Sequence, residues 1–174
     1  QAAVTEEKRK AYEQATAALD AYLKAQSQKY QDPARHCSLD FTCPLPSVGR
    51  ISTYFGEPDA VYNKPHTGAD MPAASGTLIY AVADGVVSAG SARPSYGNCV
   101  QIDHGTADAG SSYATLYAHM SSFCVSAGQT VHKGDVIGYV GNTGDVRGAN
   151  GGYHLHLELR INGTRTDPLQ YIPH

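Results

Sequence analysis

The residues with most chemistry in them are histidines near the C-terminus. His154-Leu155-His156 lies in a run that continues through Leu157, Glu158 and Leu159. On a strand, residues two apart share a face, so both imidazoles point the same way with α-carbons ~6.5 Å apart. One of the pair can ligate a metal while the other reaches a water or substrate beside it. His66-Thr67-Gly68-Ala69-Asp70 supplies an imidazole and a carboxylate across a stretch that Gly68 lets bend. His66 and Asp70 can thereby converge on one ion. Leu116-Tyr117-Ala118-His119-Met120-Ser121 carries a further histidine at the end of a β-forming run. Spacing alone does not say which of His154 and His156 binds the metal.

These side chains need a frame. From about Thr5 to Tyr30 the chain is rich in Ala, Glu, Lys and Gln and has neither Gly nor Pro, which predicts one long helix. Ala11, Ala15, Ala18, Tyr22 and Ala25 recur at four-then-three spacing, a narrow apolar stripe widened by Tyr12, Leu19 and Leu23. That stripe reads equally as the end of a coiled coil, serving self-association or docking, or as a face laid on its own domain. Asp32-Pro33 ends the helix. Residues 32–45 read as a linker with a small cysteine loop, and residues 46–174 as the main domain. Within that domain Gly and Pro separate short β-forming runs: 50–54, 77–81, 85–89, 98–103, 113–118, 135–140 and 154–161. The expected class is mainly β, a compact antiparallel sheet domain preceded by one N-terminal α-helix. Stretches 92–97, 106–112 and 141–152 are expected to be loops, with Asn142 and Thr143 on a cleft wall.

Composition narrows the function. The 174 residues, 41% of them hydrophobic, allow one full core, and a net charge of -3 gives no basic field for nucleic acid or an anionic membrane. No apolar run is long enough to insert into a bilayer. The chain begins at Gln1 and not at Met, as a processed or trimmed product does, so an export signal or anchor is not expected within it. Cys37, Cys43, Cys99 and Cys124 form no C-x-x-C pair. Disulfides Cys37–Cys43 and Cys99–Cys124 are therefore expected, in an oxidising, extracytoplasmic setting.

Taken together, "HTGADMPAASGTLIYAVADGVV", "YATLYAHMSS", "GQTVHKGDVIGYVGNTG" and "GGYHLHLELRINGTRTDPLQY" resemble the lysostaphin/LytM-type zinc metallopeptidases of bacterial cell walls. The likeness covers about Val48 to Pro168 and leaves out the helix. It implies that His66, Asp70 and His156 hold Zn2+, and that His119 and His154 are the catalytic histidines that do not bind it. It also implies a peptidoglycan endopeptidase, secreted, periplasmic, wall-associated or phage-borne, that hydrolyses peptide cross-links or bridges. The alternative is a regulator or scaffold of the same fold that binds a cell-wall hydrolase. Tyr62 is a weak candidate for an oxyanion donor. Glu158 is read as facing away from both histidines and so not as the general base. His36, His104, His132 and His174 are read as solvated or structural, and Asn162-Gly163-Thr164 as a turn.

Overall fold

The structure, a computed structural model, describes residues 4–146 and 149–174. Residues 1–3 of the expected N-terminal segment and 147–148 of the expected loop lie outside the described residues.

Helix α1 spans Glu6–Tyr30. Thr5 caps it, its hydroxyl accepting from the Lys8 amide, and Glu6 and Glu7 oppose the partial positive charge of the first turn. The strands are β1 (Ala69–Pro72), β2 (Leu78–Tyr80), β3 (Gly85–Arg93), β4 (Gly97–Thr106), β5 (Ser112–Phe123), β6 (Thr130–Val131), β7 (Val136–Val140), β8 (His154–Ile161) and β9 (Thr164–Thr166). All their pairings are antiparallel, in the order β1-β8-β5-β4-β3-β6, with β7 bridging β2 and β5 and β9 hairpinned onto β8. The hairpin turn is Asn162-Gly163, both at positive φ, as the turn reading requires. The run 50–54 forms no strand of its own and contributes one bridge, Thr53 to Asp70.

Alternation along the central strands divides the interior in two. Val100, Ile102, Tyr117, Leu155, Leu157 and Leu159 point into the main core. Ala89, Cys99, Leu116 and Ala118 point the other way and close over Leu19 and Leu23 of α1. The helix therefore lies on its own domain, against β3 and β4. The alanine stripe does not make this contact: Ala11, Ala15, Ala18 and Ala25 are exposed, and the buried line runs through Leu19 and Leu23. Two leucines bury more apolar area than a row of methyls, so they decide which face turns inward.

Residues 32–45 are more than a spacer. Cys37, Phe41 and Leu45 are buried in the main core, and the Cys37 and Thr42 amides donate to the Thr106 and Val82 carbonyls. The expected disulfides are absent, and all four thiols are free. Cys99 is buried beneath α1, while Cys124 is exposed past the end of β5 with its thiol on the Val136 carbonyl. Cys37 and Cys43 belong to a segment tied to the sheet at separate points, Thr106 and Val82.

Candidate functional site

The site forms on the face of the sheet that looks toward α1. On β8 the residues of that face are His154, His156, Glu158 and Arg160, because the leucines between them fill the main core. The register sets Asp70 of β1 opposite His156 on one side and Ala118 of β5 opposite it on the other. Gly68 lets the chain approach closely enough for this: a Cβ there would lie 2.1 Å from the Leu157 carbonyl oxygen. His66 precedes it, held by its amide to the Glu57 carbonyl and by its carbonyl to the Gly56 amide. Asp59 shapes the loop leading in by accepting from the Val61, Tyr62 and Lys64 amides.

His119 reaches the same face by breaking alternation. Ala118 already points toward α1, so a regular strand would turn His119 into the opposite core. Instead it adopts φ 60°, which a non-glycine residue holds only against a cost of ~1–3 kcal/mol. Its amide donates to the Tyr96 carbonyl, and its ring lies 4.9 Å from that of His154 and 5.8 Å from that of His156. The structure thus brings all five histidine and aspartate candidates together.

The geometry within the cluster is directional. Asp70 Oδ1 lies 2.8 Å from His156 Nδ1 and 3.0 Å from His66 Nε2, and its Oδ2 lies 3.6 Å from His154 Nε2. One ligand-type atom each from His66, Asp70 and His156 fall within 4.8 Å of one another. His66 Nε2 is buried yet makes no well-directed hydrogen bond. A buried nitrogen without a partner, beside a carboxylate oxygen and a second imidazole nitrogen aimed at the same point, fits a set of donors awaiting a divalent cation. His154 and His119 are turned differently. Each holds its Nδ1 against a backbone carbonyl, Gly152 at 2.6 Å and Thr143 at 2.8 Å, and so keeps Nε2 for the cleft. Thr143, expected on a cleft wall, fixes this segment further by donating to the Met120 carbonyl and accepting from the Asn98 amide.

Charge follows the same layout. Burial works against ionisation of Asp70, but the hydrogen bond from His156 and the close approach of the His66 imidazole outweigh it and hold the carboxyl well below the usual range. Burial likewise opposes the His156 cation, yet Asp70 and Glu158 on either side raise its pKa to about 9. A ring so placed offers strong attraction to whatever cation replaces its proton. His119 is pushed down to about 3 by burial and then by His156 and His154, so it stands as a neutral base.

The reading of Glu158 is overturned, and Thr67 and Tyr96 join the site without a role assigned from the sequence. Glu158 does not face away: it is two residues beyond His156 on one strand, shares its face, and accepts from His156 Nε2 at 3.0 Å. Thr67 donates to Glu158 at 2.7 Å, and Tyr96 donates to it as well. The H-x-H-x-E spacing carries the Glu158 contact, whereas no local pattern distinguishes Tyr96 in its loop. Tyr62 stacks on Tyr12 of α1 with ring centroids 4.1 Å apart. A cleft of roughly 410 Å³ opens over the cluster, and Tyr12, Thr16 and Leu19 of α1 form part of its lining.

Residues 64–168 match the family described as "Peptidase family M23". Among curated relatives, the DD-carboxypeptidase/endopeptidase Mpg of Neisseria meningitidis is 42% identical over 123 residues, 69% of this chain and 26% of that protein. The peptidoglycan DD-endopeptidase ShyA of Vibrio cholerae is 37% identical over 150 residues, 83% of this chain and 33% of that protein. The chain thus spans a quarter to a third of the length of these relatives. Among solved structures, a putative M23 peptidase from Pseudomonas aeruginosa aligns with TM-score 0.70 and 27% identity over 96% of this chain and 63% of its own. A zinc-containing peptidase from Vibrio cholerae aligns with TM-score 0.64 and 27% identity over 73% of this chain and 38% of its own.

Proposed function

This chain belongs to peptidase family M23, and from that premise we propose that it is a zinc-dependent endopeptidase acting on the peptide cross-links or bridges of bacterial peptidoglycan. The substrate class rests on ShyA, a peptidoglycan DD-endopeptidase by name, and the metal on the zinc-containing Vibrio peptidase. An extracytoplasmic location follows from the substrate. No described helix is long and apolar enough to cross a membrane.

In this reading His66 Nε2, an Asp70 oxygen and His156 Nδ1 hold the zinc. The observation that carries it is the buried, unpartnered Nε2 of His66 beside Asp70 and His156. When bound, zinc supplies Lewis-acid polarisation of a carbonyl and brings the pKa of water down toward ~7. His154 and His119 provide the proton chemistry. With each Nδ1–H engaged by a backbone carbonyl, each Nε2 is free to take a proton from the attacking water, hydrogen-bond the carbonyl oxygen as charge develops, and return the proton to the leaving amine. The cleft lies over all five side chains, so an extended peptide can reach them together. A purely scaffolding role would leave the unpartnered imidazole and the two fixed tautomers without a purpose.

Zinc content by elemental analysis and turnover of purified cross-linked muropeptides by mass spectrometry test the assignment. His66→Ala, Asp70→Ala and His156→Ala are expected to lose metal and activity together. His119→Ala and His154→Ala are expected to retain metal and lose ~10²–10⁴-fold in kcat. Loss of zinc in the latter pair would reverse the roles.

A further inference from the structure

Glu158 is the most heavily engaged side chain of the site, and the proton chemistry does not use it. It is 0% exposed. One oxygen, Oε2, accepts from His156 Nε2 at 3.0 Å, from Thr67 Oγ1 at 2.7 Å and from the Tyr96 hydroxyl. The other, Oε1, accepts from Arg160 Nη2 at 3.0 Å and from Arg165 Nε at 3.3 Å. Burying a carboxylate costs several kcal/mol, and an apolar residue of the same volume packs there more cheaply, so packing alone is a poor reason for its presence.

What the carboxylate does is decide the state of one ring. Neutral imidazole carries a single proton, on either nitrogen. Thr67 Oγ1 lies 3.2 Å from His156 Nε2, but its hydrogen is directed at Glu158, so both oxygens near Nε2 act as acceptors. A metal ligand must be the neutral ring, and with acceptors alone around Nε2 that nitrogen keeps its proton; Nδ1, 2.8 Å from Asp70 Oδ1, is the one whose proton a cation shared with His66 and Asp70 would displace.

We propose that Glu158 is a positioning residue of the metal centre, fixing His156 through Nε2 so that Nδ1 is presented as a ligand. This rests on the reading that His156 binds the metal. The chain of contacts does not stop at Glu158. Arg165, which neutralises it, also grips Asp20 of α1, Nη2 to Oδ1 at 2.5 Å and Nη1 to Oδ2 at 3.3 Å. The arginine that holds the carboxylate is thus itself held from the helix.

The test uses the intact chain and Glu158→Gln, Glu158→Asp and His156→Ala. Glutamine has one acceptor oxygen and can serve either the imidazole or the arginines, not both. Aspartate keeps the charge near Arg160 and Arg165 but withdraws it from Nε2 by a methylene. Zinc affinity is measured by competition with a chromophoric chelator, the ligand field by the visible spectrum of the Co2+-loaded protein, and folding by circular dichroism of the metal-free form. Both Glu158 variants are expected to bind zinc 10–100-fold more weakly and to shift the Co2+ bands. Wild-type affinity with unchanged bands in whichever of the two folds would overturn the proposal, and a loss of stability alone would mark Glu158 as merely structural. His156→Ala separates the two failures. If it loses zinc while the Glu158 variants bind normally, only the positioning role falls; if it binds zinc as the wild type does, the ligand assignment falls first.

Discussion

At the scale of the residue, the structure separates histidines that serve the cleft from one that serves the fold. His104 is 1% exposed, with Nδ1 at 2.8 Å from the Asp84 carbonyl and Nε2 at 2.7 Å from Thr115 Oγ1. Burial pushes its pKa down to about 4, and the Asp84 carbonyl only partly offsets this. The unfolded chain takes up this proton near pH 6.5 while the native state refuses it. The stability associated with His104 is therefore complete above pH 6.5 and is lost as pH falls toward 4, ~3 kcal/mol in all. Denaturant titrations across that window should show a shallower pH slope in His104→Gln than in the wild type. Much at this scale was legible in the sequence. H-x-x-x-D and H-x-H named the cluster because strand alternation and a bend at Gly68 are local facts. What was not legible needed contacts between distant segments: Tyr96 reaches Glu158 from another strand pair, and the left-handed backbone of His119 has no signature of its own.

At the scale of the element, the helix shows how composition identifies a segment without naming its inward face. Ala-rich spacing gave the length of α1 correctly, but only tertiary packing reveals that Leu19 and Leu23 dock and the alanines do not. The fastening is sparse in apolar area and is supplemented by polar ties. Gln26 donates to the Ser88 carbonyl, Arg93 lies over the Tyr22 ring, Lys64 pairs with Glu13, and Arg165 pairs with Asp20. Leu23 is fully buried against Ala89, Cys99, Leu116 and Ala118, so Leu23→Ala should cost ~2–5 kcal/mol. That loss should appear as local opening, with proteolytic nicking of α1 accelerated more than ~10-fold before the sheet itself unfolds. Simultaneous loss of helix and sheet in one cooperative transition, with no early nicking, would show instead that α1 is integral to the core. The segment 32–45 follows the same logic: its Pro and Cys content suggested a linker, yet Phe41 and Leu45 bury themselves and make it part of the domain.

At the scale of the whole molecule, a cation at the cluster would join strands distant in sequence, β1 to β8, and replace the proton that now lies between Asp70 and His156. Binding to the native state alone stabilises it by about 2.7 kcal/mol when free zinc is a hundredfold above Kd. For a chain of this size that is roughly 5–10 °C in Tm. Thermal unfolding should accordingly fall by that amount on treatment with a chelator and recover on adding zinc, with no such response in Asp70→Ala. The mainly antiparallel class was predictable from Gly and Pro spacing, whereas the division of the interior into two cores was not, because it depends on which side of β5 and β8 meets the helix. That division has a mechanical outcome. Since Tyr12, Thr16 and Leu19 border the cleft, one bank of the trench is a rod seated on the sheet and the other is the sheet's own loops. Leu19 both docks on the sheet and borders the cleft, so the place where the rod is seated sets the gap between the two banks.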